Sequence, residues 1–213
     1  MKTGTLVAMA VLAAGVSFGG LGCQQAYNPG PGWTVAYSTE AGGPKLSDWT
    51  MSGGKIETVN GGLVAKTPDS ETLLALKDRK FPGSVVVECV ASVTGEKGSD
   101  ISPMLNMGDS GWKGGYLLQF GGKARTLNRL MREGEEVSST VKKQPLLVLG
   151  KTYHVVANND GGKISLLVDG IEIFQYRDTH PLDGAGHDQI GFYTYHSILK
   201  LDKVTVYVKK ASS

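Results

Sequence analysis

Three groups of residues supply aromatic rings and planar hydrogen-bonding side chains at short spacing, two of them with both and one with polar groups alone. They are Trp112 and Tyr116 with Gln119, then Asn128 with Arg129 and Arg132, then Tyr193 and Tyr195 with His196. A ring offers a flat apolar face, and an amide, guanidinium or imidazole offers directed hydrogen bonds. Such a set suits recognition of a ligand with one apolar face and a polar rim. Bond-breaking chemistry has a thinner basis. Glu88 stands alone among valines, where burial would raise its pKa, and a lone carboxylate there serves equally well as a structural hydrogen-bond acceptor. His154, His180, His187 and His196 have no motif partner. Neither a Gly-x-Ser-x-Gly nucleophile turn nor a His-x-Glu-x-x-His zinc spacing occurs. Glu88 and His196 are the candidates for any catalysis.

Each group also has a plainer reading. Tyr193 and Tyr195 share strand parity and could both plug a core. Trp112 lies in a loop of glycines, where burial is harder to arrange. Arg129 and Arg132 have opposite parity, so at most one faces a ligand on a strand. His196, beside Ser197, could simply cap a turn.

The elements that must position these residues are legible around 151–176. Runs at 153–158, 163–168 and 171–176 are rich in β-branched and aromatic residues and read as strands. Between them, Asn158-Asn159-Asp160-Gly161-Gly162 and Asp169-Gly170 supply the positive-φ residues of tight hairpins. Consecutive hairpins make an antiparallel meander. Ile164, Leu166 and Val168 form its apolar face.

Further strands are expected at 33–37, 45–50, 55–59, 63–66, 73–76, 84–92, 100–107, 115–120, 125–132, 189–196 and 199–208. Asn60-Gly61-Gly62 marks another hairpin. The run 84–92 is apolar on both faces, with Val85, Val87, Cys89 and Ala91 on one, and reads as a central strand. Pro103 argues for an edge or a bulge. The run 125–132 fits a helical turn too, but its shortness and flanking glycines favour a strand. A loop fills 179–188. A dozen short strands with no convincing helix define an all-β, two-sheet antiparallel sandwich.

The chain of 213 residues carries a formal net charge of +2 with no long basic block. A nucleic-acid partner is therefore not expected. Lys2 followed by an uncharged run over 6–21 reads as a signal peptide, too short and glycine-rich for a stable span. Residues 1–23 form this segment, 24–32 a Pro/Gly tether and 33–210 the sandwich domain. Gly20 and Gly22 also fit simple secretory cleavage. Of the two cysteines, Cys89 reads as a core residue.

Leu21-Gly22-Cys23 resembles the lipobox of bacterial lipoproteins, although Gly20 holds the position where that family places leucine. The resemblance implies lipidation of Cys23 and an exported protein of the cell envelope, at the outer membrane or cell surface, touching the membrane through its lipid alone. A second resemblance covers roughly 33–208. The segment 163–170, then Ile190-Gly191-Phe192-Tyr193-Thr194-Tyr195, then Leu201-Asp202-Lys203-Val204-Thr205-Val206-Tyr207, is similar to the closing strands of concanavalin A-like, laminin-G-like jelly rolls. It implies a jelly-roll fold and carbohydrate as partner, with the three aromatic and polar groups above as the binding set. It also implies no obligatory cofactor, with calcium open at Asp100 or Asp109. The Glu-x-Asp-x-x-Glu run of this fold's glycoside hydrolases is missing. Lys45-Leu46-Ser47-Asp48-Trp49 and the 191–196 strand resemble parts of exported 3-keto-disaccharide hydrolase domains, which leaves a glycoside hydrolase as the alternative. A structural or protein-binding envelope module is the third reading.

Overall fold

The computed structural model describes residues 27–39, 43–95, 99–141 and 145–210. Residues 1–23, read above as a signal peptide ending at Cys23, lie outside the described residues. Thirteen strands follow in chain order: β1 Trp33–Ser38, β2 Trp49–Ser52, β3 Lys55–Val59, β4 Gly62–Leu76, β5 Val85–Thr94, β6 Ser102–Met107, β7 Tyr116–Gly121, β8 Leu127–Arg132, β9 Glu135–Val141, β10 Thr152–Asp160, β11 Lys163–Val168, β12 Ile171–Arg177 and β13 Gln189–Lys209. All pairings are antiparallel.

The hairpins follow the turn chemistry. Asn60 and Gly61 have φ of 50° and 74°, and Asp169 and Gly170 have 51° and 78°. Positive φ at both central residues gives the twist a two-residue hairpin needs. Val59 accordingly pairs with Gly62, and Val168 with Ile171.

Two strands are long enough to serve both layers of the sandwich. The first third of β13 lies between β6 and the end of β4, with Gly191 opposite both Met104 and Ala75. Its later part lies between β5 and the start of β4, then between β5 and β1. One sheet therefore runs β12-β11-β10-β5-β13 and on to β1 or β4-β3. The other runs β9-β8-β7-β6-β13-β4-β2. The change of sheet in β13 falls at His196, whose φ of 47° marks a bulge where the register with β4 shifts between Tyr195 and Ser197.

The core between the sheets holds Val85, Val87, Cys89, Ile164, Leu166, Val168, Phe120 and Phe192, all fully buried or nearly so. Burying each aliphatic or aromatic side chain of this kind contributes about 1.5 to 3 kcal/mol. Cys89 is a free, buried thiol.

Several local expectations change. Strands expected separately at 63–66 and 73–76 are one strand, β4, and those at 189–196 and 199–208 are one, β13. The sequence reading misses β9 altogether. Pro103 is not on an edge: it pairs with Phe192 of β13 in a strand that also meets β7. Its missing donor is tolerated because the β6–β7 ladder passes from the Ile101–Phe120 bridge to Met104–Leu117 without closing at Pro103. Tyr27, assigned to the tether, is instead docked on the first sheet, edge-on to Tyr207 at 6.4 Å between ring centroids.

Candidate functional site

Strand parity sorts the candidate residues between the two sides of the second sheet. Tyr116, Leu118 and Phe120 point into the core, so Leu117 and Gln119 point out. Leu117 joins Met104, Met107 and Met131 in a small apolar cluster on the outer face, against which Leu73, Trp112 and Tyr193 pack. The Trp112 and Tyr193 rings lie 5.8 Å apart at 54°. Beside them opens a cleft of about 240 Å³, with Ser52, Glu71, Leu73, Ser110 and Lys113 in its walls. The Tyr193 hydroxyl donates to Glu71 Oε2 at 3.4 Å. Lys113 Nζ stands 5.4 Å from the centre of the Trp112 ring, a cation–π contact.

Trp112 reaches this place because its loop is closed by glycine. Gly108 donates to the Gly114 carbonyl at 2.9 Å, and Gly114 to that of Gly111 at 3.0 Å. A Cβ on Gly115 would stand 2.7 Å from the Leu105 carbonyl oxygen, a separation real side chains do not show.

Next to the cleft runs a chain of polar contacts across three strands. Asp100 is buried, and its carboxylate accepts from Ser102 Oγ, from Gln119 Nε2 at 2.9 Å and from the Tyr195 amide at 3.1 Å. Gln119 Oε1 in turn accepts from Arg129 Nε at 2.6 Å, and Arg129 reaches Glu136 at 3.5 Å. Burial pushes the Asp100 carboxyl above the usual range despite these donors. Burial, with the charges of Asp100 and Glu71 nearby, pushes the Tyr193 phenol up as well.

The structure therefore gathers Trp112, Tyr193, Gln119 and Arg129 on one face, with Tyr195, 46% exposed, further along β13. The His196 ring sits edge-on to Tyr195 at 4.0 Å, on the bulge. Three expectations are corrected. Tyr116 offers no stacking face: it is fully buried, and its hydroxyl donates to Asp178 Oδ2 at 2.6 Å. Asn128 sits opposite Phe120 on the core side, where its Oδ1 accepts the Gly121 amide at 3.0 Å. Arg132 is spent on the 178–188 loop, giving Nε to Asp178 at 2.8 Å and Nη2 to the His180 carbonyl at 3.0 Å. The opposite parity of the two arginines is thus real, and Arg129 is the one on the cleft side. Glu71 and Ser52 were missed, since nothing in the sequence brings β2 and β4 next to Trp112, whereas Lys113 adjoins Trp112 in the chain and could have been found there.

Glu88 belongs to the other sheet. One of its oxygens accepts from the Tyr27 amide at 3.1 Å and meets His154 Nε2 at 2.8 Å, while the other accepts from the Tyr207 hydroxyl at 2.8 Å. Burial alone would raise its pKa as expected from the sequence. The hydrogen bonds from His154, Tyr27 and Tyr207 outweigh it and hold the carboxyl at about 2. Glu88 pairs with Thr205, nine residues along β13 from His196, a strand length of roughly 30 Å. The two catalytic candidates thus occupy different parts of the molecule.

Among the described residues no group of three or more His, Cys, Asp and Glu side chains is placed to hold a metal ion. Asp100 is buried with three donors already on its carboxylate, and Asp109 is exposed, accepting only a long contact of 3.4 Å from Gln189. These two positions do not fit a calcium site.

No protein-family model and no curated sequence matches the chain. Solved structures match its fold. A Bacillus subtilis protein with a galectin-like fold superposes with a TM-score of 0.64 at 15% identity, over 83% of this chain and 97% of that one. The carbohydrate-binding module CBM66 of Bacillus subtilis gives 0.61 at 16%, over 75% and 94%. The exoplasmic domain of VIP36, in a form bound to calcium and Man3GlcNAc, gives 0.59 at 8%, over 80% and 87%. The chain shares the jelly-roll sandwich of these galectin-like and lectin-like domains.

Proposed function

We propose that this chain is a carbohydrate-binding module whose ligand lies on the outer face of the second sheet, at the Trp112–Tyr193 cleft. The observation that carries the reading is a pair of tilted, partly exposed rings over an apolar floor, bordered by the Glu71 carboxylate, serine hydroxyls and the Lys113 ammonium. A sugar ring has one apolar face for stacking and a rim of hydroxyls for such groups. The cleft is smaller than the roughly 300 to 1,000 Å³ of a drug-sized ligand pocket, so it takes one ring of a longer glycan. The fold it shares with CBM66 and VIP36 supports the same reading. The uncharged N-terminal run and Cys23 support export and a lipid anchor in the cell envelope.

A glycan array probed with protein lacking residues 1–23 tests the reading. Binding to at least one glycan, weakened by Trp112→Ala and insensitive to salt, is the expected result. No binding at millimolar concentration would overturn it in favour of a structural envelope module.

A further inference from the structure

The imidazole of His187 lies between two loops and the end of a strand, and it does not touch the cleft. Its Nδ1 is 3.1 Å from the Gly114 carbonyl oxygen and 3.3 Å from that of Asn106. Both neighbours are pure acceptors, so Nδ1 carries the proton and donates to both. Gly114 is the residue that closes the Trp112 loop through the amide of Gly108. Gly108 and Gly114 pack backbone to backbone, and a Cβ on Gly108 would stand 2.5 Å from the Gly186 carbonyl oxygen.

The clamp is itself held from the far sheet. The His187 carbonyl accepts from Asn106 Nδ2 at 3.2 Å, and the same amide gives a hydrogen bond to the Gly83 carbonyl at 2.9 Å. Asn106 Oδ1 accepts from Asn159 Nδ2 at 2.8 Å, and Asn159 Oδ1 accepts the Gly162 amide at 2.9 Å. Asn106 and Asn159 are both buried. A satisfied buried amide chain of this kind admits few alternative geometries. It runs from the β10–β11 hairpin through Asn106 to His187 and ends at the carbonyl of Gly114, two residues from Trp112.

We infer that His187 is a positioning residue that sets the height of the Trp112 ring over the cleft, through its donation to Gly114. This deepens the carbohydrate reading and rests on it for its consequence, while the clamp itself is observable without ligand. Asparagine places Nδ2 near where histidine places Nδ1, so His187→Asn can replace the donation. Phenylalanine keeps the ring and loses the donor.

The test uses the indole ¹⁵N–¹H signals of the three tryptophans, with Trp112 assigned by Trp112→Phe, together with glycan affinity and melting temperature. His187→Phe and His187→Ala should shift the Trp112 signal, leave those of Trp33 and Trp49 in place and weaken glycan binding about tenfold. His187→Asn should restore both signal and affinity. A Trp112 signal unmoved in His187→Ala, or moved equally in His187→Asn, overturns the inference. If the His187 variants fail to fold, Gly108→Ala presses the same loops apart. Its Trp112 signal must then move, and a fixed one overturns the inference equally. A shifted Trp112 signal in the His187 variants, with no glycan bound by the wild type, would instead remove the carbohydrate reading and leave the clamp standing.

Discussion

Tyr116 and Arg132 face each other across the β7–β8 ladder and converge on one oxygen, Asp178 Oδ2. The Tyr116 hydroxyl also accepts the Leu182 amide at 2.9 Å. The pair thus fastens the 178–188 loop to the second sheet. Burial pushes the Asp178 carboxyl up, but the hydrogen bonds from Tyr116, the His180 amide and Arg132 more than reverse this and hold it below the usual range. Tyr116→Phe should therefore cost about 1 to 3 kcal/mol, the penalty for leaving buried polar groups unpaired. Glycan affinity should fall little if at all. Denaturant unfolding beside a binding titration measures both, and a large affinity loss at unchanged stability would return Tyr116 to the site.

Trp112→Ala is expected to behave in the opposite way. The ring is only partly buried in the small outer cluster, so its loss should leave the melting temperature within a few degrees of wild type. A stacking contact contributes roughly 0.5 to 1.5 kcal/mol beyond its area, and affinity should drop about threefold to tenfold or more. Isothermal titration and a thermal melt on the same variant give the answer.

The Glu88 cluster makes a pH prediction. In the folded protein its carboxyl is held at about 2, below the ordinary glutamate value of 4.5. The stabilisation it contributes is thus present above about pH 4.5 and is lost as pH falls towards 2. Glu88→Gln should be less stable than wild type at pH 7, and the two should converge as the solution is acidified. Parallel melts from pH 7 to pH 2 show whether the gap closes. A gap that stays constant would mean Glu88 acts through shape and not through charge.

Leu166 is fully buried between the sheets, so Leu166→Asp should abolish cooperative folding, because an unpaired carboxylate in that core has no partner. A wild-type melting temperature in this variant would contradict the placement of the core.

Cys23 offers a prediction about location. Mass spectrometry of the mature N-terminus should find a diacylated cysteine at position 23, since two acyl chains hold a protein at a membrane where one does not. Cleavage elsewhere, or an unmodified thiol, would leave simple secretion.

What could be read from the sequence was mainly local. Asn60-Gly61 and Asp169-Gly170 announce their hairpins because positive φ excludes most other residues. The apolar run around Cys89 announces a central strand because both of its faces are largely buried, and both its edges are indeed paired, with β10 and β13. By contrast β9, with Ser138, Ser139 and Thr140, has an edge position and little apolar alternation to betray it. The continuity of β13 was hidden by His196, which looks like a turn and is a bulge. The cleft failed to show for a different reason. Glu71 and Trp112 are brought together by the pairing of β4 with β13 and of β13 with β6, and no short-range pattern encodes that. Tyr116 could have been placed correctly, because its parity with Leu118 and Phe120 already put it inside.

The strand shared by both layers is also the last of the thirteen in chain order. Before residue 189 is made, β5 can pair only with β10, β6 only with β7, and the β2-β3-β4 group with neither sheet. The nascent chain can hold separate hairpins but no closed sandwich, and even its first strand waits for Lys209 to pair with Trp33. Closure of the sandwich thus rests on pairings far apart in the chain, Trp33 with Lys209 among them, and such high contact order goes with slow folding.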